Sequence, residues 1–226
     1  MPSSFRARLG AAPVAAVLPT LDLARAARLD FTAANPRLTP ENLRGTATFD
    51  RLVHQMLAEQ GATAGWGGYL EERVIYRRSP ELFGEAGPAR SLHLGIDVWC
   101  PAGTPVATPL PATIYSVQDN AGFGDYGPTV ILEHQLDEVT FWSLYGHLGR
   151  AETETLQSGQ LLAAGDSFAT VGPWPENGDW PPHLHFQLMT DLLGKRGDFP
   201  GVAVPAERAY WAAICPDPNL VLRCNR

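Results

Sequence analysis

The 226-residue sequence contains only three cysteines, Cys100, Cys215 and Cys224. An odd and small number of cysteines does not build a disulfide framework. Their spacing also fits no zinc knuckle. Cys215 and Cys224 could pair with each other, but we expect the thiols to be free.

Clusters of positive charge are also missing, and the net charge is −7. Basic residues come at most in pairs, as at Arg77-Arg78 and Lys195-Arg196. Nucleic-acid-binding domains usually concentrate Lys and Arg on one face or helix. The sequence therefore predicts no nucleic-acid partner.

Long apolar runs are lacking too: none approaches the roughly 20 residues that a membrane-spanning helix needs. We therefore expect no membrane span. The N-terminus outlines a signal peptide, with arginines, an apolar stretch and then Ala24-Arg25-Ala26. Pro13 and Pro19 interrupt that stretch, so we expect a cytoplasmic rather than an exported protein.

Glycine and proline are plentiful, at 22 and 20 residues. From residue 62 onward they separate short runs rich in β-branched and aromatic residues, the pattern of antiparallel strands. The predicted fold is mostly β: a compact antiparallel β-domain at 62–226, with a partly helical N-terminal extension at 1–61. A helix is predicted at 48–60, and a short C-terminal helix at 205–214.

The stretch LHLGIDVW, at 92–99, has the alternation of a strand, with His93, Gly95 and Asp97 on one face. In a straight strand His93 and Asp97 would lie about 13 to 14 Å apart, too far to share one metal ion. A glycine between them permits a kink. The chain must therefore bend near Gly95 if both side chains serve one site.

Two other predicted strands carry histidines. HLHFQL places His183, His185 and Gln187 on one face, and TFWSLYGHL places Tyr145 and His147 together with Phe141 and Ser143. A single histidine in a strand is usually a structural or surface group, and we expect that of His54 and His134. The joint pattern is harder to explain in that way, because four of the six histidines fall in these two strands and LHLGIDVW.

Two imidazoles and one carboxylate make a zinc shell that leaves a position open for water, which is the catalytic arrangement. The sequence has no HExxH helix to supply a glutamate base. A histidine beside the metal would then have to handle the proton.

The order and spacing of these motifs resemble the LytM/lysostaphin-type zinc endopeptidases, peptidase family M23. The matching elements are His93 to Asp97 (HxxxD), Tyr145 to Leu148 (YxHL) and His183 to His185 (HxH), within about residues 90 to 190. The resemblance implies that His93, Asp97 and His185 bind Zn²⁺. It also implies that His147 and His183 are catalytic, with a supporting role for Tyr145.

The resemblance further implies a groove lined by loops and a peptide substrate, typically in bacterial peptidoglycan. One departure is Asp179-Trp180-Pro181-Pro182, where family members often have a Ser/Thr-Gly-Pro run. The flanks GWGGYLEERVIY and LLGKRGDFPGVAVP also resemble M23 domains that are fused to aminotransferase-type enzymes.

Two alternative functions stay open. One is an intracellular zinc hydrolase of another small amide or peptide, and the other is a non-catalytic binding module with the M23 fold. Asp30 or Asn35 of the N-terminal extension could also occupy the open metal position. We expect instead that the extension packs against the β-domain.

Overall fold

The computed structural model describes residues 3–84 and 88–224. Within these ranges the strands are β1 (Ala27–Arg28), β2 (Gly65–Gly67), β3 (Leu92–His93), β4 (Ile96–Trp99), β5 (Pro105–Ala107), β6 (Ala112–Asn120), β7 (Gly127–Leu136), β8 (Val139–Gly146), β9 (Leu161–Leu162), β10 (Ser167–Thr170), β11 (His183–Met189) and β12 (Val202–Ala203). The α-helices are α1 (Ser3–Ala11), α2 (Pro40–Leu43), α3 (Thr46–Glu59), α4 (Pro80–Phe83), α5 (Arg150–Thr153), α6 (Arg208–Ile214) and α7 (Asn219–Leu222). The 3₁₀ turns are Leu23–Arg25, Ile75–Arg78 and Pro205–Glu207.

One large sheet organises the molecule. Among the described residues it has eight strands in the order β1-β2-β4-β11-β8-β7-β6-β9. Neighbouring strands are antiparallel except β1 and β2, which run parallel. The prediction of a mostly β, antiparallel domain with a helical N-terminal part and a short C-terminal helix is confirmed.

The central strands have one apolar face and one polar face. Ile96 and Val98 of β4, and Leu184 and Phe186 of β11, are fully buried in the main apolar cluster. The alternate residues of both strands point to the opposite face, as the strand period of two requires. The polar side chains between these apolar residues therefore gather on one face of the sheet.

Helix α3 covers that opposite face near the end of β4. Its apolar stripe is buried and packs with Trp99 and Trp180; the stripe consists of Phe49, Leu52, Val53, Met56 and Leu57. Burying one large apolar side chain stabilises a fold by about 1.5–3 kcal/mol. The helix thus anchors the N-terminal part of the chain beside the polar face of the sheet.

The residues before α3 also enter the core. Phe5 and Leu9 of α1, and Leu18 after it, are fully buried in the same cluster as the inner faces of β4 and β11. The N-terminal part and the β-domain therefore share one hydrophobic core.

Two further features concern the predictions on cysteine and the membrane. Cys100, Cys215 and Cys224 are buried free thiols. Among the described helices, none is both long and apolar enough to cross a bilayer.

Candidate active site

Three predicted metal-binding side chains meet on the polar face of the sheet. The Nδ1 atom of His185 lies 3.0 Å from Nε2 of His93 and 2.9 Å from Oδ1 of Asp97. The His93 Nε2 and Asp97 Oδ1 atoms are 3.2 Å apart. All three side chains are buried, and one atom from each lies within 4.8 Å of the others. This group could hold one metal ion.

The pairing of two strands brings Asp97 next to His185. Strands β4 and β11 are antiparallel neighbours, and Asp97 lies directly opposite His185 in the register. Directly opposed residues have Cβ atoms about 4.5–5.5 Å apart, close enough for their side chains to share a ligand.

A break in the strand at Leu94-Gly95 brings His93 to the same point. The predicted single strand is two strands, because β3 pairs with β12 whereas β4 pairs with β2 and β11. A Cβ atom on Gly95 would lie 2.6 Å from Cε1 of His185 and 2.8 Å from the carbonyl oxygen of Phe186. The absence of a side chain at Gly95 therefore lets His93 and Asp97 turn toward the same point.

Hydrogen bonds fix which nitrogen of each imidazole carries its proton. The Nδ1 atom of His93 lies 3.2 Å from the carbonyl oxygen of Gly68, so it donates and leaves a lone pair on Nε2. The side-chain nitrogen of Gln187 donates to the carbonyl of Pro200. Its Oε1 atom therefore accepts from Nε2 of His185 at 3.0 Å and leaves a lone pair on Nδ1.

Two lone pairs and a carboxylate oxygen thus converge on one point, which calls for a proton or a cation between them. Burial, followed by the neighbouring Arg73 charge, lowers the pKa of His93 to about 3. Burial alone would raise the pKa of Asp97, but His93 and Arg73 hold it well below its ordinary value. Neutral imidazoles and an ionised carboxylate are the protonation states that bind a divalent metal.

His147 and His183 lie beside this group, with ring centroids 4.2 Å apart. The Nδ1 atom of His147 donates to the carbonyl of Asn177 at 2.8 Å, and that of His183 donates to the carbonyl of Pro181 at 2.7 Å. Both Nε2 atoms are therefore the basic nitrogens, and Nε2 of His183 lies 3.8 Å from Oδ2 of Asp97. Burial lowers the pKa of both rings, to about 4 for His183.

The prediction that Tyr145 and His147 share a face is wrong. Tyr145 is fully buried in the main core, where its ring packs on Phe186 and its hydroxyl accepts from Ser143 at 3.1 Å. His147 follows the end of β8 and has a left-handed φ of 62°. This turn breaks the alternation of the strand, so the two side chains point to opposite faces.

The other histidines lie elsewhere. His134 is buried in β7 and its Nε2 atom lies 2.7 Å from the hydroxyl of Ser143. His54 is exposed on α3. Among the described residues that line the cavity at the site, neither Asp30 nor Asn35 appears. Both are engaged in local turns with Thr32 and Arg37.

Sequence patterns missed two side chains that touch the site. The hydroxyl of Tyr126 lies 3.4 Å from Nε2 of His185. Arg73 is fully buried and donates from Nη1 to Oδ2 of Asp97. Neither belongs to a motif with the histidines, so no spacing could have identified them; a buried arginine is visible only once its partners are placed.

A cavity of about 220 Å³ opens onto the histidines. Its walls are apolar on the side of α4 and mixed on the side of the 195–202 loop; they include Tyr76, Leu82, Phe83, Arg90, Asp125, Tyr126, Trp180, Lys195, Asp198 and Phe199. The Trp180 ring centroid lies 6.2 Å from those of both His147 and His183. A substrate in this cavity would lie against His147 and His183 and beside the group that could hold a metal ion.

Comparisons with solved structures give similar proteins of low identity. A zinc-containing peptidase from Vibrio cholerae is 26% identical, over 43% of this chain and 27% of that one, with a TM-score of 0.34. A mutant catalytic domain of the prophage-encoded M23 protein EnpA from Enterococcus faecalis is 24% identical, over 55% and 84%, with a TM-score of 0.37. The catalytic domain of lysostaphin, an antimicrobial peptidase from Staphylococcus simulans, is 23% identical, over 57% and 84%, with a TM-score of 0.37.

This chain thus spans about a quarter of the Vibrio cholerae protein. Among curated proteins, no match was found. The family model of peptidase family M23 matches residues 91–197, the stretch that contains every predicted site residue. Over these residues the chain is similar to peptidase family M23.

Proposed function

We propose that this protein is a zinc-dependent endopeptidase that hydrolyses peptide bonds in peptidoglycan-type peptides. The match of residues 91–197 to peptidase family M23 supports a peptidase hydrolase. The observation that carries the proposal is the convergence of His93 Nε2, Asp97 Oδ1 and His185 Nδ1 beside two further buried histidines.

The proposed zinc ligands are His93, Asp97 and His185. Their tautomers leave the converging atoms free to bind a cation, and His₂-carboxylate is a donor set that catalytic zinc uses. A zinc ion held there would polarise the scissile carbonyl and lower the pKa of a coordinated water toward neutrality.

His147 and His183 are the proposed catalytic histidines. Each ring is held through Nδ1–H by a backbone carbonyl, so each Nε2 is fixed in position and ready to accept a proton. One ring takes the proton of the attacking water as general base. The imidazolium formed by that proton would stabilise the oxyanion that develops on the carbonyl and would then return the proton from Nε2 to the leaving amine.

The substrate class rests on the resemblance to peptidase family M23. M23 enzymes typically cut peptides that contain glycine or D-amino acids, so a peptide of this kind is the proposed substrate.

The test is mass spectrometry of the products from purified peptidoglycan and its soluble muropeptides. The zinc-loaded protein is compared with the chelated protein and with His147→Ala. His54→Ala is the matched control, because His54 is an exposed histidine on α3. We expect new peptide termini with the wild type and the control, and none with the chelated protein or His147→Ala while that variant still binds zinc.

A second candidate function is the hydrolysis of another small amide. The observation in its favour is Trp180, which is 3% exposed and forms a cavity wall where family members often have small residues. Cleavage of other amides but not of muropeptides would support this candidate. A zinc-loaded protein that cleaves neither would contradict both and indicate a binding module.

A further inference from the structure

A segment that precedes the M23 stretch touches two of the three proposed metal ligands. It runs from Gly65 to Arg73, with the sequence GWGGYLEER, and ends 18 residues before residue 91, where the family match begins. The carbonyl of Gly68 accepts from Nδ1 of His93 at 3.2 Å. Arg73 contacts Asp97.

Arg73 bridges two buried carboxylates. Its Nε atom donates to Oε2 of Glu71 at 2.9 Å, and its Nη1 atom donates to Oδ2 of Asp97. The exposed fractions of the three side chains are 0% for Arg73, 6% for Glu71 and 5% for Asp97. Burial alone would lower the pKa of Arg73, but Asp97, Tyr76 and Glu71 raise it, so the guanidinium stays charged.

The neighbouring backbone leaves room for this contact. Gly67 of β2 lies directly opposite Asp97 of β4 in the sheet. A Cβ atom on Gly67 would lie 2.5 Å from Nη2 of Arg73. The glycine therefore provides the space through which the guanidinium reaches the carboxylate.

We propose that Arg73, held by Glu71 and given room by Gly67, is a positioning residue that makes Asp97 a one-oxygen metal ligand. The inference rests on the metal site of the proposed function. Because the guanidinium takes Oδ2, only Oδ1 faces His93 and His185. A carboxylate without that partner can rotate and offer both oxygens to a cation.

The geometry of Arg73 explains why an arginine is needed. A guanidinium presents donors in a planar fork and can hold two carboxylates in a fixed relative orientation, whereas an ammonium acts as a point charge. Partners of metal ligands orient them, and removing such a partner typically costs about 10- to 100-fold in metal affinity or activity. Lysine at position 73 would keep the charge but lose the fixed orientation.

The test uses cobalt, because Co²⁺ can replace zinc and its visible absorption reports coordination number. Wild type and Arg73→Lys are titrated with Co²⁺, and their affinities are measured by competition with a chelator. We expect Arg73→Lys to bind about 10- to 100-fold more weakly. We also expect weaker and shifted absorption bands, as the second oxygen of Asp97 raises the coordination number.

Arg28→Lys is the matched control. Arg28 also contacts Glu71, with Nη2 3.4 Å from Oε1, but its side chain is half exposed and it contacts Glu71 rather than Asp97. Its substitution should change neither the affinity nor the spectrum.

Gly67→Ala is the second variant. It tests the positioning role if Arg73→Lys does not fold, because the added methyl group displaces the guanidinium of Arg73 without removing a charge. We expect the same spectral change.

The outcomes separate this inference from the proposed function. Wild type that binds no Co²⁺ would overturn the metal site and the positioning role together. Wild type that binds Co²⁺, with affinity and spectrum unchanged in Arg73→Lys or, failing that, in Gly67→Ala, would overturn the positioning role alone. Tighter binding with an unchanged spectrum would also overturn it, because that pattern reflects only altered electrostatics.

Discussion

Gly95 lies against the ring of His185, on the neighbouring strand: a Cβ atom at residue 95 would be 2.6 Å from Cε1 and 2.7 Å from Nε2 of that ring. The third close atom is the backbone carbonyl oxygen of Phe186, at 2.8 Å, and backbone cannot rotate away as a side chain can. Gly95 thus has two roles. It lets the chain bend between the proposed ligands His93 and Asp97, and it leaves room for the ring of the third, His185.

Gly95→Ala should therefore displace His185 and the strand beneath it. We expect at least a 100-fold loss of hydrolysis, because misplacing a reacting group by about 1 Å can cost that much, together with weaker zinc binding. Gly45→Ala is the control, since its Cβ would meet only Thr48 Oγ1 at 3.9 Å. Steady-state kinetics and a zinc titration check both variants; normal zinc affinity in Gly95→Ala would contradict the prediction.

Asn177 holds the loop that carries the carbonyl partner of His147. Its side chain is fully buried, donates to the carbonyls of Gly172 and Trp180, and accepts from the Trp180 amide. Asn177→Ala should loosen the carbonyl that holds His147, so we expect kcat to fall about 10- to 100-fold. Zinc stoichiometry should stay at the wild-type value, because Asn177 contacts none of the proposed ligands. Loss of zinc from this variant would argue against a separate role for His147.

Metal removal should lower thermal stability. A ligand that binds only the folded state stabilises it by about 4 kcal/mol when its concentration is 1,000 times Kd. Differential scanning calorimetry with zinc and with a chelator should therefore give a clearly lower Tm without metal. In His93→Ala the difference between the two conditions should nearly vanish, and a difference as large as in wild type would mean that zinc binds elsewhere.

His134 gives a pH dependence that is separate from the candidate active site. Burial lowers its pKa to about 4, against about 6.5 in the unfolded chain. The unfolded state therefore binds more protons between these values, and the contribution of neutral His134 to stability is lost as the pH falls from about 6.5 to about 4.

The variant His134→Gln removes this titration and keeps a hydrogen-bonding group near Ser143. We expect the difference in unfolding free energy between wild type and variant to change by about 1.4 kcal/mol per pH unit within that window. Outside the window the difference should be constant. Urea denaturation at a series of pH values measures it, and a flat difference throughout would show that the folded pKa of His134 is not depressed.

Strand alternation was enough to place much of the candidate site. It predicted that His183 and His185 share a face, and the demand for a bend at Gly95 follows from the reach of a straight strand. In both cases the information is local, because the period of two relates residues that are near in sequence.

Strand alternation predicted the wrong face for Tyr145 relative to His147, and it could not identify Arg73. His147 adopts a left-handed φ, which is uncommon for residues other than glycine. Its amide donates to the carbonyl of Tyr126 and its Nδ1 atom to that of Asn177, and both partners are distant in sequence. Arg73 reaches Asp97 through the pairing of β2 with β4, and nothing in the sequence of β2 specifies that register. Such features depend on how strands are ordered in the sheet.

The contacts made by Gly68, Arg73, Tyr76 and α3 limit how residues 91–197 could be transferred to another protein. A cut before residue 91 would remove Gly68, Arg73, Tyr76 and the whole of α3. Asp97 and His93 would then lose hydrogen-bonding partners, and Trp99 and Trp180 would lose the aromatic neighbour Phe49. Residues 91–197 would therefore lack these contacts if they were moved alone to another protein. A functional chimera would have to include α3 and residues 65–76 together with the histidine motifs.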